Sequence, residues 1–316
     1  SSDLAEDYGK TYDGGRCMKC ARNDRGYVSL IIYVLLSVGL IAYSIYSGIG
    51  SSKRFNNREI DDYKIRTAKS ILIRCLINYL QVISLIGSIA AQWPQEFDTS
   101  LAGNKSVNVM DSGRLNFDCL YPRHSSIPKT FLRLLSLNLV PVILITLALL
   151  IFIIASIVKK RPLLNNPELK TQIAISILVI CFNLQSSIIR GNLKMFQCQN
   201  LYRYDNPIYF IIGEYDTQCW TSEHKAWTYA LATPVTLIWT CVMPTVIYLF
   251  LRNHRRQSST QMRYSFLIRG YKDEKYYWEF IVLMRKYLLI IISVFGALQS
   301  PSFQIFVSLY VIWIAY

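Results

Sequence analysis

The chain has 316 residues, of which 52% are hydrophobic, and it carries a formal net charge of +14. A mean hydropathy of +0.26, with several apolar runs near the ~20 residues that cross a bilayer, excludes an ordinary soluble domain. We expect no nucleic-acid partner despite the basic charge, because Lys and Arg concentrate in the cytoplasmic loops of membrane proteins. The sequence therefore predicts an all-α fold, a polytopic bundle of transmembrane helices.

Seven apolar segments follow one another along the chain, and we expect each to be a span. The predicted spans are residues 27–47, 71–91, 131–157, 171–190, 227–251, 278–298 and 302–316. Kinks are expected at Pro141, Pro234 and Pro244, because proline frees backbone groups that neighbouring helices must satisfy. Before these seven or more spans, residues 1–26 are predicted to end an extracellular cysteine-rich region, and residues 27–316 form the membrane domain.

The loops between the predicted spans alternate in charge. Three of them are rich in Lys and Arg and belong in the cytoplasm: residues 48–70, 158–170 and 252–277. The two other loops, residues 92–130 and 191–226, are longer and less basic, and they hold cysteines. The first of them also contains the only glycosylation sequon, at Asn104. These cues agree on an N-terminus outside the cell.

Five cysteines fall on the predicted external side, where an oxidising environment favours disulfides. They are Cys17, Cys20, Cys119, Cys198 and Cys219. Because five is odd, at least one partner is missing, free or on another chain. We favour a bridge between Cys198 and Cys219, and a bridge from Cys119 to either of them is the alternative. The CxxC of Cys17 and Cys20 fits the last fragment of a disulfide-rich module better than a metal site, so we expect a longer protein with a cysteine-rich region upstream.

Ionisable residues inside spans are the first candidates for a functional site in a membrane protein. Apart from Glu279 at the start of span six, all twenty Asp and Glu residues lie outside the predicted spans, and so do the three His residues. This pattern argues against a proton relay and against an intramembrane metal site. The sequence also has no recognisable nucleophile–base arrangement or phosphate-binding loop. We therefore predict that the protein is not an enzyme and needs no metal or cofactor.

The stretch "GYKDEKYYWEFIVLMRK" combines an aromatic belt with two cations inside span six. Arg285 and Lys286 lie about 10 Å beyond Glu279 along a helix, and Glu279 and Lys286 share a helix face. Two interpretations stay open. The cations reach back to cytoplasmic phosphates, or they form an interhelical clamp or a pocket for an anionic lipid headgroup. Arg269 and Lys272 in the preceding loop complete this predicted inner-leaflet site, and an anionic lipid is the bound molecule it would hold.

Six motifs spread over most of the chain form one pattern. They are "CMKC" (17–20), "NYLQVISLIG" (78–87), "WP" (93–94), "FDC" (117–119), the two prolines of span five, and "GYKDEKYYWEF…RK" (270–286). The pattern resembles the multi-pass C-terminal region of large protist surface proteins, which carry many EGF-like or growth-factor-receptor-like cysteine repeats. In broad outline it is also similar to polycystin and TRP-like membrane cores. The resemblance implies a surface-exposed region that tethers a long extracellular part.

The sequence and the resemblance together leave three functions open. The one we favour is a multi-pass anchor or sensory scaffold that tethers a large extracellular region or surface appendage, in the plasma membrane or that of a cilium or flagellum. The second is a TRP/polycystin-like cation channel or channel subunit, and the third is a seven-span signalling receptor. The expected partners are membrane lipids, extracellular or filament proteins and, for the channel, polycystin or TRP-type subunits.

Overall fold

Each of the seven predicted spans contains a helix in the computed structural model. The structure describes residues 8–10, 17–19, 35, 38–50, 71–72, 75–83, 85, 127–158, 160, 167–200, 207–212, 214–254, 264, 267, 275, 277–296 and 301–315. We number the helices α1 (Val38–Gly50), α2 (residues 71–72, 75–83 and 85), α3 (Lys129–Val158), α4 (Pro167–Leu193), α5 (Ser222–His254), α6 (Trp278–Phe295) and α7 (Pro301–Ala315). The described part of the protein is mostly helical, as predicted.

Three of these helices are long and apolar enough to cross a membrane. They are α3, α4 with its 3₁₀ extension to Phe196, and α5, with 30, 30 and 33 residues. Their lengths of roughly 45–50 Å exceed the ~30 Å hydrocarbon core of a bilayer. By comparison, α1 and α7 are shorter, and the 18 residues of α6 include Glu279, Arg285 and Lys286. Crossing by all seven helices therefore stays a prediction.

Two of the long helices begin four or five residues earlier than the apolar pattern predicted, α4 at Pro167 and α5 at Ser222. The first residue of α4 is Pro167, which suits a helix start because its fixed φ is helical and its missing N–H would have no partner there. Glu168 follows in the first turn, where a negative charge is favourable. At the start of α5, the side-chain oxygen of Thr221 accepts the backbone N–H of His224 at 3.2 Å. These polar first turns carry no apolar signal, which is why hydropathy missed them.

Helix α4 is the central helix of the described bundle. Of its apolar stretch 56% is buried, against 11% for α3 and 11% for α5. It packs against α3, α5 and α6, while α7 packs against α6. Apolar side chains cover the exposed surface of α3, among them Ile143, Leu147 and Ile154. The buried surfaces of the other helices are therefore organised around α4.

The core consists of two apolar clusters. The inner cluster draws on α2, α4, α5 and α6, and its fully or nearly fully buried members include Leu85, Ile189, Leu251 and Ile290. Leu267, in the segment before α6, also packs into this cluster. The outer cluster joins the N-terminal ends of α3 and α5 to the chain between α4 and α5, through Phe131, Leu134, Met195, Ile211, Cys219 and Ala232.

The all-α prediction needs one correction, because two segments outside the helices contain short strands. Near the N-terminus, β1 (Tyr8–Lys10) pairs antiparallel with β2 (Cys17–Lys19). Between α4 and α5, β3 (Cys198–Asn200), β4 (Tyr209–Ile211) and β5 (Glu214–Gln218) form an antiparallel sheet in the order β3-β4-β5. Strands of three to five residues are too short for an alternating apolar pattern to predict them. We call the described residues between Lys194 and Thr221 the cap.

Gly48 allows α1 to pack closely against α4. A Cβ at Gly48 would lie 2.9 Å from Cγ2 of Ile175, which is fully buried and β-branched, so it has little freedom to move. We expect Gly48→Leu to lower the free energy of unfolding by about 1–3 kcal/mol, the usual cost of overpacking. Thermal unfolding of the purified protein in detergent measures this. Gly50→Leu on the same helix is the matched control, since nothing lies within 4 Å of its Cβ position. Equal losses from both changes would contradict the packing.

Candidate functional site: a buried polar layer between helices

Helix α6 turns two of its charged residues into the protein. Glu279 and Lys286 are only 4% and 3% exposed, and they lie on one face of the helix, as their spacing predicted. Arg285 is half-buried. The other two residues of the predicted inner-leaflet site, Arg269 and Lys272, lie outside the described residues. A lipid role for these positions therefore stays a prediction.

The ammonium group of Lys286 joins α6 to α2 and, through α2, to α4. Its Nζ donates to Oδ1 of Asn78 and to Oε1 of Gln81, each at 2.6 Å. The other end of Gln81 donates from Nε2 to the backbone carbonyl of Asn183 on α4 at 3.1 Å. Of the interpretations that the sequence left open for Lys286, this geometry corresponds to the interhelical clamp.

Helix α5 contains two π-helical segments, Thr228–Ala232 and Ile238–Val242. In each, the last backbone N–H reaches five residues back rather than four: Thr233 donates to the carbonyl of Thr228, and Met243 donates to the carbonyl of Ile238. A proline follows at once, at positions 234 and 244. The structure thus has π turns where the sequence predicted kinks, and π turns are frequent at functional positions of helices.

The second π segment leaves one carbonyl without a partner on its own helix. Trp239 would pair with position 244 in a π turn, but Pro244 has no N–H. In an α turn it would pair with Met243, whose N–H already bonds Ile238. Two other helices supply donors instead. Nε2 of Gln185 on α4 donates to the Trp239 carbonyl at 2.7 Å, and the hydroxyl of Tyr287 on α6 donates at 3.3 Å.

These contacts meet in one layer, because the residues involved are close neighbours in sequence. Lys286 and Tyr287 are consecutive on α6, and Gln185 on α4 also hydrogen-bonds the Tyr287 hydroxyl. We call the side chains of Asn78, Gln81, Gln185, Lys286 and Tyr287, with the carbonyls of Asn183 and Trp239, the polar layer. Polar groups at this depth are costly unless they are hydrogen-bonded. The polar layer pairs most of them by joining four helices, although Oε1 of Gln185 is buried without a hydrogen-bond partner among the described residues.

Further side-chain amides connect the helices toward the cap. Asn138 on α3 and Asn192 on α4 exchange two hydrogen bonds, of 3.1 and 2.9 Å. The last carbonyls of α6 accept from two glutamines. Gln197 in the cap donates to Val294 at 2.7 Å, and Gln304 on α7 donates to Ile292 and Ser293 at 3.3 Å. The C-terminal carbonyls of a helix need partners from outside it, and these amides supply them.

A disulfide closes the cap between Cys198 and Cys219, with a Cα–Cα distance of 6.2 Å. This is the pairing that we favoured from the sequence. Of the other predicted external positions, Cys17 lies in β2, whereas Cys20, Cys119 and Asn104 lie outside the described residues.

Two polar contacts attach the cap to the first turns of α3. The hydroxyls of Thr130 and Thr217 are 2.8 Å apart, and Arg133 forms an ion pair with Glu214. Both partners of the ion pair are largely buried, with side chains 13% and 14% exposed. The sheet of the cap is therefore fixed to a helix as well as to its own disulfide.

Within the described ranges, one group of side chains has the composition of a metal site. The ligand atoms of Cys198, Cys219 and His224 lie within 4.8 Å of one another. Both sulfurs, however, are in the disulfide. His224 uses both ring nitrogens in the protein, since Nδ1 accepts the N–H of Trp220 at 3.3 Å and Nε2 lies 3.1 Å from the Met195 carbonyl. This histidine packs and braces the cap.

The search for ionisable residues inside the predicted spans identified Lys286 but no other member of the polar layer. The signal for three of the remaining members was uncharged, because Asn78, Gln81 and Gln185 are amides inside predicted spans. Asn138 and Gln304, which make the contacts nearer the cap, are amides of the same kind. A side-chain amide at that depth needs a partner, so such residues predict interhelical contacts. Which amide meets which helix could not be predicted, because it depends on how the helices are rotated in the bundle.

Among curated proteins, the chain is similar to "Cysteine repeat modular protein A" of Toxoplasma gondii, at 25% identity over 130 residues. The similar region covers 39% of this chain and 4% of that protein, so the chain spans a small fraction of the relative it matches. No family model matches the chain, and no solved structure matches it. The similarity gives faint support to a link with large cysteine-rich proteins. A relationship to polycystin or TRP proteins stays a prediction.

Removing the Lys286 ammonium is expected to destabilise the protein, because it leaves two amide oxygens without their donor. We expect Lys286→Met to lower the free energy of unfolding by about 1–3 kcal/mol. Adding Gln81→Leu should cost less than the sum of the two single changes, since the second change removes an acceptor that is already unpaired. Denaturant unfolding of the four proteins gives this coupling. Lys225→Met, at an exposed position, is the control. Strict additivity would contradict the clamp.

The disulfide of the cap encloses a separation of 21 residues. Replacing both cysteines by serine is expected to lower the free energy of unfolding by about 3 kcal/mol, because the unfolded chain regains the entropy of that loop. Thermal unfolding with and without a reductant checks this. Cys75→Ser with Cys241→Ser is the matched control, as both cysteines are free and exposed. A reductant should shift the transition of this control by more than it shifts the transition of the cap variant.

Proposed function

We propose that this chain is a multi-pass membrane anchor, a tether or sensory scaffold that holds a large cysteine-rich extracellular region at the plasma membrane. The observation that carries the proposal is the polar layer. Its described groups bond one another across α2, α4, α5 and α6. An anchor needs helices that keep their relative positions, and these contacts serve that need.

A tether must resist force along its axis. Sliding one helix past another would separate Lys286 from Gln81 and Gln185 from the Trp239 carbonyl. Each separation would leave a polar group in apolar surroundings, at a cost of about 2–7 kcal/mol. Apolar packing alone offers less resistance inside a membrane, where lipid tails are as apolar as the helices. The polar layer therefore favours a mechanical role.

The cap gives the anchor a firm external end. A pull on the cap reaches α3 through Thr130 and Arg133, and it reaches α4 directly because only four residues separate the end of α4 from β3. The disulfide keeps the sheet from unravelling under such a pull. We infer that extracellular or filament proteins are the partners on this side. Lipids, with an anionic lipid near Arg285, are the partners on the inner side.

The similarity to a protein named for its cysteine repeats supports the same proposal, since the matched part is a small fraction of a far longer chain. In that comparison, the region of this chain would correspond to a short segment of a modular protein. The fit with an anchor is direct, because a long extracellular array needs one membrane-embedded segment to hold it.

The first experiment is mass spectrometry of the complex purified gently from native membranes. We expect a chain far longer than 316 residues, rich in cysteine, that brings extracellular or filament proteins with it. A short chain that assembles as a tetramer, or that copurifies with channel subunits, would contradict the anchor and favour the channel.

A second experiment separates an anchor from a channel by function. The purified protein in planar bilayers is expected to carry no cation current, and Arg285→Leu with Lys286→Leu is expected to change stability or lipid retention only. The control is the same bilayer without protein. A robust cation current that this double change abolishes would overturn the proposal.

A further inference from the structure

Helix α5 has two possible hydrogen-bonding registers at its second π segment. In the observed register the N–H of Met243 donates to the carbonyl of Ile238, five residues back. In an α register the same N–H would donate to Trp239, four residues back. The N–H of Met243 thus has two possible acceptors. Which of them it bonds determines the hydrogen-bonding register of the part of α5 that follows Met243.

Each register leaves one carbonyl that Pro244 cannot serve. The π register leaves Trp239, whose partner would be Pro244 itself. The α register would leave Thr240, and the ring of Pro244 would also press on that carbonyl. The proline therefore disfavours the α register. The π register in turn relies on Gln185 and Tyr287, which supply the hydrogen bonds to Trp239.

The two donors are well suited to control this choice. Gln185 is 1% exposed and Tyr287 is 7% exposed, so water cannot readily replace them. They come from two different helices, α4 and α6. Tyr287 also follows Lys286, which is held by α2. Movement of α6 relative to α5 would therefore separate the Tyr287 hydroxyl from the Trp239 carbonyl, and movement of α4 relative to α5 would separate Gln185 from it.

A change of register would turn the inner half of α5. Removing the extra residue of the π turn rotates the following residues by about 100° relative to the preceding ones. Ile247 and Leu251 are now buried, at 9% and 0% exposure, while Val246 is 59% exposed. The rotation would exchange which of these side chains face outward. It would also move Phe250 and His254, which stack on each other at the inner end of α5.

We propose that Gln185 and Tyr287 form a register latch for α5. While both donate to the Trp239 carbonyl, the second π segment is kept and the inner half of α5 stays in its observed rotation. When the donors are withdrawn, Met243 bonds Trp239 and the inner half of the helix turns. The device responds to the positions of α4 and α6 relative to α5, and it works whether the protein is an anchor or a channel.

Lipid-phase carbene footprinting tests the latch in phosphatidylcholine vesicles. A membrane-soluble diazirine labels the outward side chains, and peptide mass spectrometry reads each position. In the native sequence we expect label on Val246 and Leu249 but little on Ile247 and Leu251. In Gln185→Leu/Tyr287→Phe, label should move to Ile247 and Leu251. Leu237, which is exposed and lies above the π segment, should keep its label and serves as the internal reference.

Two further variants keep the test decisive. Asn138→Leu/Asn192→Leu removes an interhelical amide pair from α4 without touching α5, and its pattern should match the native one. If the double latch variant fails to fold, Tyr287→Phe keeps one donor. It should shift the register population roughly fivefold toward α, the effect of one lost hydrogen bond. A native pattern in the folded latch variants, or the same shift in the Asn138/Asn192 control, overturns the latch.

Discussion

The bundle depends on one constraint: a hydrogen-bonding group inside an apolar interior must find a partner in the protein. A helix pairs most of its own backbone groups. The groups that need partners from elsewhere are therefore the side-chain amides, the Lys286 ammonium and the carbonyls that a proline leaves without an N–H donor. The sequence places several such groups at similar depth. Lys286 has two amide oxygens, and the Trp239 carbonyl has an amide and a hydroxyl. Helix positions and rotations that leave these groups unpaired are strongly disfavoured, so the polar layer selects one arrangement of the helices.

The same constraint explains why α4 is central. It contributes Asn183 and Gln185 to the polar layer, Asn192 to the pair with α3, and its C-terminal end to the cap. A helix surrounded by protein can carry more polar side chains than one that faces lipid, because neighbours supply the partners. The sequence of α4 is accordingly less hydropathic than that of α3, at 1.8 against 3.0, and yet it is the more buried of the two. Hydropathy therefore ranks these helices in the opposite order to their burial.

The sequence predicted the helices well and their contacts poorly, for a physical reason. Apolar runs report helix existence directly, so each of the seven predicted segments contains a helix. The Cys198–Cys219 pairing was also accessible, since both residues lie in one loop. Contacts such as Gln185 with Trp239 depend on a backbone carbonyl that is unpaired because of Pro244, and no side-chain pattern indicates it. The ion pair of Arg133 could not be predicted either, because its partner Glu214 lies on a strand too short to predict.

The two proline-associated π segments of α5 look alike in sequence, but their surroundings differ. In the first, Thr233 donates both its N–H and its hydroxyl to the Thr228 carbonyl, so the turn is reinforced from within its own helix. The carbonyl that corresponds to Trp239 belongs to Tyr229, an exposed residue near the N-terminal end of the helix. Tyr229 is 60% exposed, whereas the Trp239 carbonyl is bonded by the buried side chains of Gln185 and Tyr287. The hydrogen bonds that define the first π turn therefore lie within α5, whereas the second π turn also draws on donors from α4 and α6. Two π turns with the same proline spacing can thus differ in whether their hydrogen bonds depend on the neighbouring helices.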